Sequence, residues 1–116
     1  MKPRYELVDR IREIAERKTR FSYDLRGRAF VDTGIVAAYR ATQESERFSD
    51  LPDVVRHALD HEGIIGGWRD PETGRFYFDS CRVFTDAGSA IRFAIAQKQR
   101  SIFNLNRNEE IPVNAA

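Results

Sequence analysis

The chain has 116 residues, of which 41% are hydrophobic and 32% charged, with a formal net charge of +1. That length and balance predict one globular domain with a buried core and exclude a disordered chain; no apolar run approaches the ~20 residues that span a bilayer. The single Cys81 excludes an internal disulfide and an all-cysteine metal cage.

The start, MKPRYELVDRIREI, is charged throughout and lacks the apolar stretch of a signal peptide, so a cytoplasmic location is expected. Residues 1–30 carry nine Lys/Arg and five Asp/Glu, a net of +4, whereas residues 31–116 carry ten and thirteen, a net of −3. A basic front end suits an anionic partner, or is simply a solvated helix face. The near-neutral total reads against phosphate-driven DNA binding.

Pro3 suits a first helical turn, and Leu7, Val8, Ile11, Ile14 and Ala15 recur at helical spacing. They predict an amphipathic helix over about residues 4–18, whose stripe packs in the core or docks on a partner. Phe21, Tyr23 and Leu25 alternate with Ser22 and Asp24, which predicts an extended arm over 20–32 that can fold as a short hairpin. In GIVAAYRATQES, Ala37, Ala38 and Ala41 favour a helix, while Ile35, Val36 and Tyr39 after Gly34 favour a strand; a strand over 34–42 completes the neater unit. Gln43 to Asp50 reads as a polar surface loop. Ser49 or Asp50 caps a helix with Pro52 in its first turn and Val54, Val55, Ala58 and Leu59 inward, ended by Gly63.

Residues 64–69 and 75–84 read as a hairpin about the turn Asp70-Pro71-Glu72-Thr73-Gly74. On its second strand Phe76, Phe78, Ser80, Arg82 and Phe84 face one way, and Tyr77, Asp79, Cys81 and Val83 the other. Thr85 or Asp86 starts a helix reaching about Gln99, with Ala87, Ala90, Ile91, Ala94 and Ile95 inward. Ser101 to Leu105 is a last strand. NRNEEIPVNAA reads as a loose tail, with Ile111 and Val113 able to touch the sheet edge.

From residue 34 the order is strand, helix, strand, strand, helix, strand. This predicts an α+β fold with a ferredoxin-like βαββαβ core over 34–105, a four-stranded antiparallel sheet with both helices on one face. Residues 1–33 form a helix and arm and 106–116 a tail. The second face of the sheet is open or covered by the N-terminal helix, and it is the natural place for function.

Several segments resemble a family of small proteins encoded by bacteriophages, plasmids and other mobile elements. These are Ile35-Val36-Ala37-Ala38-Tyr39 with Thr42-Gln43, His57-Ala58-Leu59, Gly66-Gly67-Trp68 and Glu72-Thr73-Gly74. They continue through Phe76-Tyr77-Phe78-Asp79-Ser80 and Arg82-Val83-Phe84 to Gln99 and Ile102-Phe103-Asn104-Leu105. The resemblance covers about two thirds of the chain and brings no activity or catalytic residue with it. It implies an accessory gene of a mobile element, a setting in which small proteins block host defences, anti-CRISPR inhibitors among them.

No constellation for catalysis stands out, and neither a cofactor nor an enzymatic activity is expected. His57 and His61 are four apart on one helix and can share a metal, but HALDH lacks the glutamate placement of a zinc protease. Two solvated histidines near a helix C-terminus are the plainer reading. Cys81, mid-strand, reads as a small buried residue. Ser80 and Asp79 point to opposite faces and cannot act as a pair.

Protein–protein contact is the leading expectation, with a host defence complex as partner. The contact residues expected are the basic Arg10, Arg17, Lys18 and Arg20, and the loop residues Glu44, Glu46, Arg47, Arg69, Asp70 and Glu72. A homodimer through a sheet edge or the terminal helix is also compatible with this outline. The alternative is single-stranded nucleic acid stacked on Phe76 and Phe78 with Arg75 and Arg82 nearby, although Asp70 and Asp79 put acid close by, and rings that fill the core under the helices are the plainer reading.

Overall fold

The computed structural model describes residues 3–43 and 50–113. Helix α1 (Pro3–Arg17) is followed by strands β1 (Arg20–Asp24), β2 (Ala29–Phe30) and β3 (Ile35–Ala38). After a 3-10 turn (Arg40–Thr42) come α2 (Leu51–Leu59), β4 (Ile64–Arg69), β5 (Phe76–Phe84), α3 (Ala87–Ala96), β6 (Ser101–Asn104) and β7 (Glu109–Pro112). The strands make one antiparallel sheet in the order β2-β1-β4-β5-β3-β6-β7. Among the described residues no helix is long and apolar enough to cross a membrane.

The class is α+β, but the four-stranded ferredoxin-like sheet is not what the chain builds. The four strands it would use, β3 to β6, are contiguous, and three more extend them on both sides. Residues 20–24 pair with β4 from Arg20↔Trp68 to Asp24↔Ile64, so the expected arm is part of the sheet. Its Phe21 and Tyr23 are buried on the helix side, and that alternation fixes the pairing face.

The expected loose tail forms β7. Asn108 adopts a φ of 52°, a left-handed turn position that asparagine tolerates. The chain then returns along β6 with Ile111 opposite Ile102, and Val113 is buried.

Other boundaries also shift. Strand β3 stops at Ala38 because the backbone tightens into the 3-10 turn at Arg40. Helix α3 ends at Ala96 rather than near Gln99, since Lys98 takes a φ of 57° and the Gln99 N–H closes back on the Ala94 carbonyl at 2.9 Å. Its buried stripe runs through Ala90 and Ala94, so Ile95, expected inward, is 42% exposed. Asp86 caps the helix, its carboxylate accepting from the Ser89 N–H at 2.8 Å. Asp50 makes no side-chain cap on α2, and Ser49 lies outside the described residues. At the other end of α2, Gly63 has a φ of 82° and the Arg26 guanidinium donates to the carbonyls of Leu59 and His61. These are carbonyls that a helix end leaves without partners.

The helices α1, α2 and α3 lie on one face. Leu7, Val8, Ile11 and Ile14 of α1 and Leu51, Val54 and Val55 of α2 close over Phe21, Tyr23, Ile65, Phe76 and Phe78. Ala90 and Ala94 of α3 pack on Ile35, Ala37 and Ile102 of the same face. The N-terminal helix thus sits beside α2, and among the described residues the opposite face carries no helix.

Gly67 is needed where β4 passes under the aromatic cluster. A Cβ there would lie 2.5 Å from Phe21 and 2.6 Å from Phe76. Gly67→Ala is expected to lower stability by ~1–3 kcal/mol through overpacking, read as a lowered urea midpoint. An unchanged midpoint would mean that the two rings move aside freely.

Candidate functional site

Strand alternation places Arg20, Ser22, Trp68, Tyr77 and Asp79 on the face without helices, with Val36 and Phe103 across the sheet. The floor of this face is apolar: Val36, Ile64 and Cys81 are buried together, with Val31, Val83 and Leu105 packed against them. Gly66 adds no side chain to the floor, where a Cβ would press on the Cys81 sulfur at 3.0 Å.

The face is concave. In a flat sheet β1 and β6 would lie four spacings, roughly 19 Å, apart. Yet the Arg20 guanidinium sits 4.3 Å from the centroid of the Phe103 ring. The right-handed twist accumulated over the strand pairings has coiled the sheet toward this side. The curl encloses a groove of about 1080 Å³, at or above the upper end of small-ligand pockets, which run to ~1,000 Å³.

Arg20, Trp68 and Tyr77 stand side by side across β1, β4 and β5. The Trp68 and Tyr77 rings stack with centroids 5.0 Å apart and planes at 22°. Trp68 remains 39% exposed. The groove lining is balanced in charge, with Lys18, Arg20 and Arg100 against Asp32, Asp79 and Glu110. Glu110 accepts from the Ser101 hydroxyl at 2.7 Å. Burial, with the neighbouring Asp79 carboxylate second, pushes the Cys81 thiol well up, so this cysteine is a floor residue and no nucleophile at neutral pH.

The structure brings together four of the expected contact residues. Arg10, Arg17 and Lys18 are exposed and line a small hollow beside Phe30, and Lys18 and Arg20 line the main groove. Arg69, Asp70 and Glu72 are apart from them. Arg69 is scaffold: its guanidinium donates to the Gly74 carbonyl at 2.8 Å and the Ala15 carbonyl at 3.2 Å, tying α1 to the β4–β5 turn. Asp70 organises that turn by accepting from the Glu72 N–H at 2.9 Å, and Glu72 is exposed at its tip. Glu44, Glu46 and Arg47 lie outside the described residues.

The residues expected to stack bases do not form a surface. Phe76 and Phe78 are core residues, their rings 5.9 and 6.5 Å from Phe21 beneath the helices. Arg82 lies on the helix side over Phe84 and Phe93, and Arg75 is exposed at the hairpin turn. The aromatic pair of the open face is Trp68 and Tyr77. It was legible in principle, since the hairpin sets residue 68 opposite residue 77, but the curl that makes a groove of it is a property of the whole sheet.

His57 and His61 stack face to face on the helix side, centroids 4.0 Å apart, with the Tyr39 ring against both. Such a stack points the ring edges alike rather than converging them on an ion, and among the described residues no three His, Cys, Asp or Glu are grouped to hold a metal. The Tyr39 hydroxyl donates to Glu62 at 2.5 Å. Burial first, then this hydrogen bond and the Glu62 charge, push the Tyr39 phenol up to about 12. Burial, then the charge of His61, lower the pKa of His57.

Both shifts favour the neutral forms, so their contributions to stability are intact between the ordinary values of 6.5 and 10.0. Stability is expected to fall as pH drops below 6.5 through the lowered His57 value, and to fall again as pH rises from 10.0 toward about 12. Urea midpoints across pH check this, and Glu62→Gln should flatten the alkaline limb. An unaltered alkaline limb in that variant would remove Glu62 as a cause.

Comparison with protein-family models, curated proteins and solved structures finds no match.

Proposed function

We propose that this chain is a non-enzymatic binding protein that takes a segment of a protein partner onto its concave sheet face. The observation that carries this is the Trp68–Tyr77 stack, half in water, inside a curled groove with an apolar floor. Aromatic anchors of this kind supply most of the energy at protein interfaces. An accessory protein of a phage or mobile element, inhibiting a host defence complex in the manner of an anti-CRISPR, is the role implied by the resemblance. A shaped, aromatic surface is what such an inhibitor requires.

Affinity capture from bacterial lysate with the native chain and with the double variant Trp68→Ala, Tyr77→Ala tests the site. Both side chains are partly exposed, so the variant should stay folded. A protein retained by the native chain and lost from the variant is expected; equal retention would move the site elsewhere.

One observation favours a second reading. Stacked rings flanked by Lys18, Arg20 and Arg100 also suit a single nucleic-acid strand. Asp32, Asp79 and Glu110 in the same lining oppose it. Mobility shift with oligothymidylate at low and high salt separates the two: no shift at low salt removes this reading.

A further inference from the structure

We propose that the occupant of the concave face is an extended protein segment with an acidic cluster, its carboxylates seated on Arg10, Arg17 and Lys18 and an adjacent apolar residue lying on Trp68 and Tyr77. This rests on the reading of the concave face as a binding surface and adds the chemistry of what it binds.

The cations come first. A hollow of about 170 Å³ beside the groove is lined by Arg10, Glu13, Ile14, Arg17, Lys18 and Phe30. Three of the six are cations and one is an acid. Arg10, Arg17, Lys18 and Arg20 enter none of the ion pairs Arg12–Asp9, Arg28–Glu6 and Arg56–Asp53. Arg17 and Lys18 complement the C-terminal end of the α1 dipole, which accounts for their presence without a ligand. That explanation does not reach Arg10, about two turns earlier in the helix, or Arg20 on the sheet. Phe30 stands 44% exposed in the middle of this patch, with the Lys18 ammonium 4.8 Å from its ring centroid.

The patch then continues into the groove, since Lys18 and Phe30 line both hollows. Charge changes along that path. At the margin cations are in excess; in the groove three cations face three acids. A ligand with phosphates at every step would meet Asp79 and Glu110 as it advanced. A segment whose negative charge is gathered at one end, with low charge beyond, matches both regions. Distance sets the spacing: Arg20, Trp68 and Tyr77 sit opposite one another on β1, β4 and β5, so Tyr77 lies two strand spacings, about 10 Å, from Arg20. An extended chain covers that in about three residues. The apolar anchor on Tyr77 should therefore stand about three residues beyond the position that passes Arg20, with the acidic cluster on the far side of Arg20.

Trp68 is the only tryptophan of the chain, so its fluorescence reports on the groove directly. The intact chain is titrated with a synthetic peptide of roughly twelve residues, long enough to cross margin and groove. It carries consecutive glutamates, a Gly-Ser spacer and a Leu-Pro-Leu end. The controls are the same peptide with lysines for glutamates, the same peptide with serines for the apolar end, and oligothymidylate of equal length.

A saturating change in Trp68 emission is expected with the acidic peptide. Affinity should be weaker by ~10-fold or more with either peptide control and in the surface variant Arg10→Glu, Arg17→Glu. Added salt should weaken the binding. No response to the acidic peptide at millimolar concentration, undiminished binding in the charge-reversed variant, or tighter binding of oligothymidylate would each overturn the proposal. If the peptide fails while a lysate protein is still lost on Trp68→Ala, Tyr77→Ala, the acidic occupant falls and the binding face stands. If both fail, the binding face falls with it.

Discussion

Phe78→Ala is expected to lower the unfolding free energy by ~3–5 kcal/mol, the range for removing a large ring from a packed core. The ring is 1% exposed. Its ring packs tilted against those of Phe76 at 5.0 Å and Phe21 at 6.5 Å, beneath α1 and α2. Alanine would leave a cavity that the helices cannot fill without leaving the sheet. Urea unfolding followed by circular dichroism measures the loss. The same variant discriminates between two roles for the aromatic strand. Rings exposed for base stacking would cost only ~0.5 kcal/mol on removal, as surface positions do.

Ile11→Ala is expected to cost ~2–5 kcal/mol by the same mechanism. Ile11 is 0% exposed and lies at the centre of the α1 stripe that meets α2 and the sheet. The N-terminal helix is therefore a structural layer, and its apolar stripe is already used by the fold. Arg10, one residue earlier on the outer face, should tolerate reversal to glutamate within ~0.5 kcal/mol. A neutral Ile11→Ala would mean that α1 is not held to the core. A helix with one face committed and the other free offers only its charge to a partner.

Much of the fold was legible because local signals agreed. The stripe Leu7, Val8, Ile11, Ile14, Ala15 gave α1, the Asp70–Gly74 turn gave the β4–β5 hairpin, and the alternation of Phe76 and Phe78 with Tyr77 and Asp79 separated the two faces. The strand expected over 34–42 on the order of elements forms only at Ile35–Ala38, where β5 and β6 pair with it, and gives way to the 3-10 turn Arg40–Thr42. What was missed is non-local. Nothing near Phe21 announces that it will lie over Gly67, some forty-six residues away in the chain. Nor does the polar run around Asn106 announce that Glu109–Pro112 will add an edge strand. Counting four strands instead of seven followed from both omissions.

The site suffered from the same cause. The basic residues Arg10, Arg17, Lys18 and Arg20 could be picked out by charge, and they do gather at one margin. Phe76 and Phe78, offered as a stacking pair only in the alternative reading, fill the core under the helices, which is the plainer reading of the two rings. Trp68 and Tyr77 belong together only once β4 and β5 are in register.

The binding role of the concave face is tested most directly by photo-crosslinking from within it. A benzoyl-phenylalanine placed at Tyr77, in the groove, is compared in bacterial lysate with one placed at Arg92, exposed on α3 of the opposite face. A discrete adduct from position 77 and none from position 92 is the predicted result. An adduct from position 92 alone would contradict it.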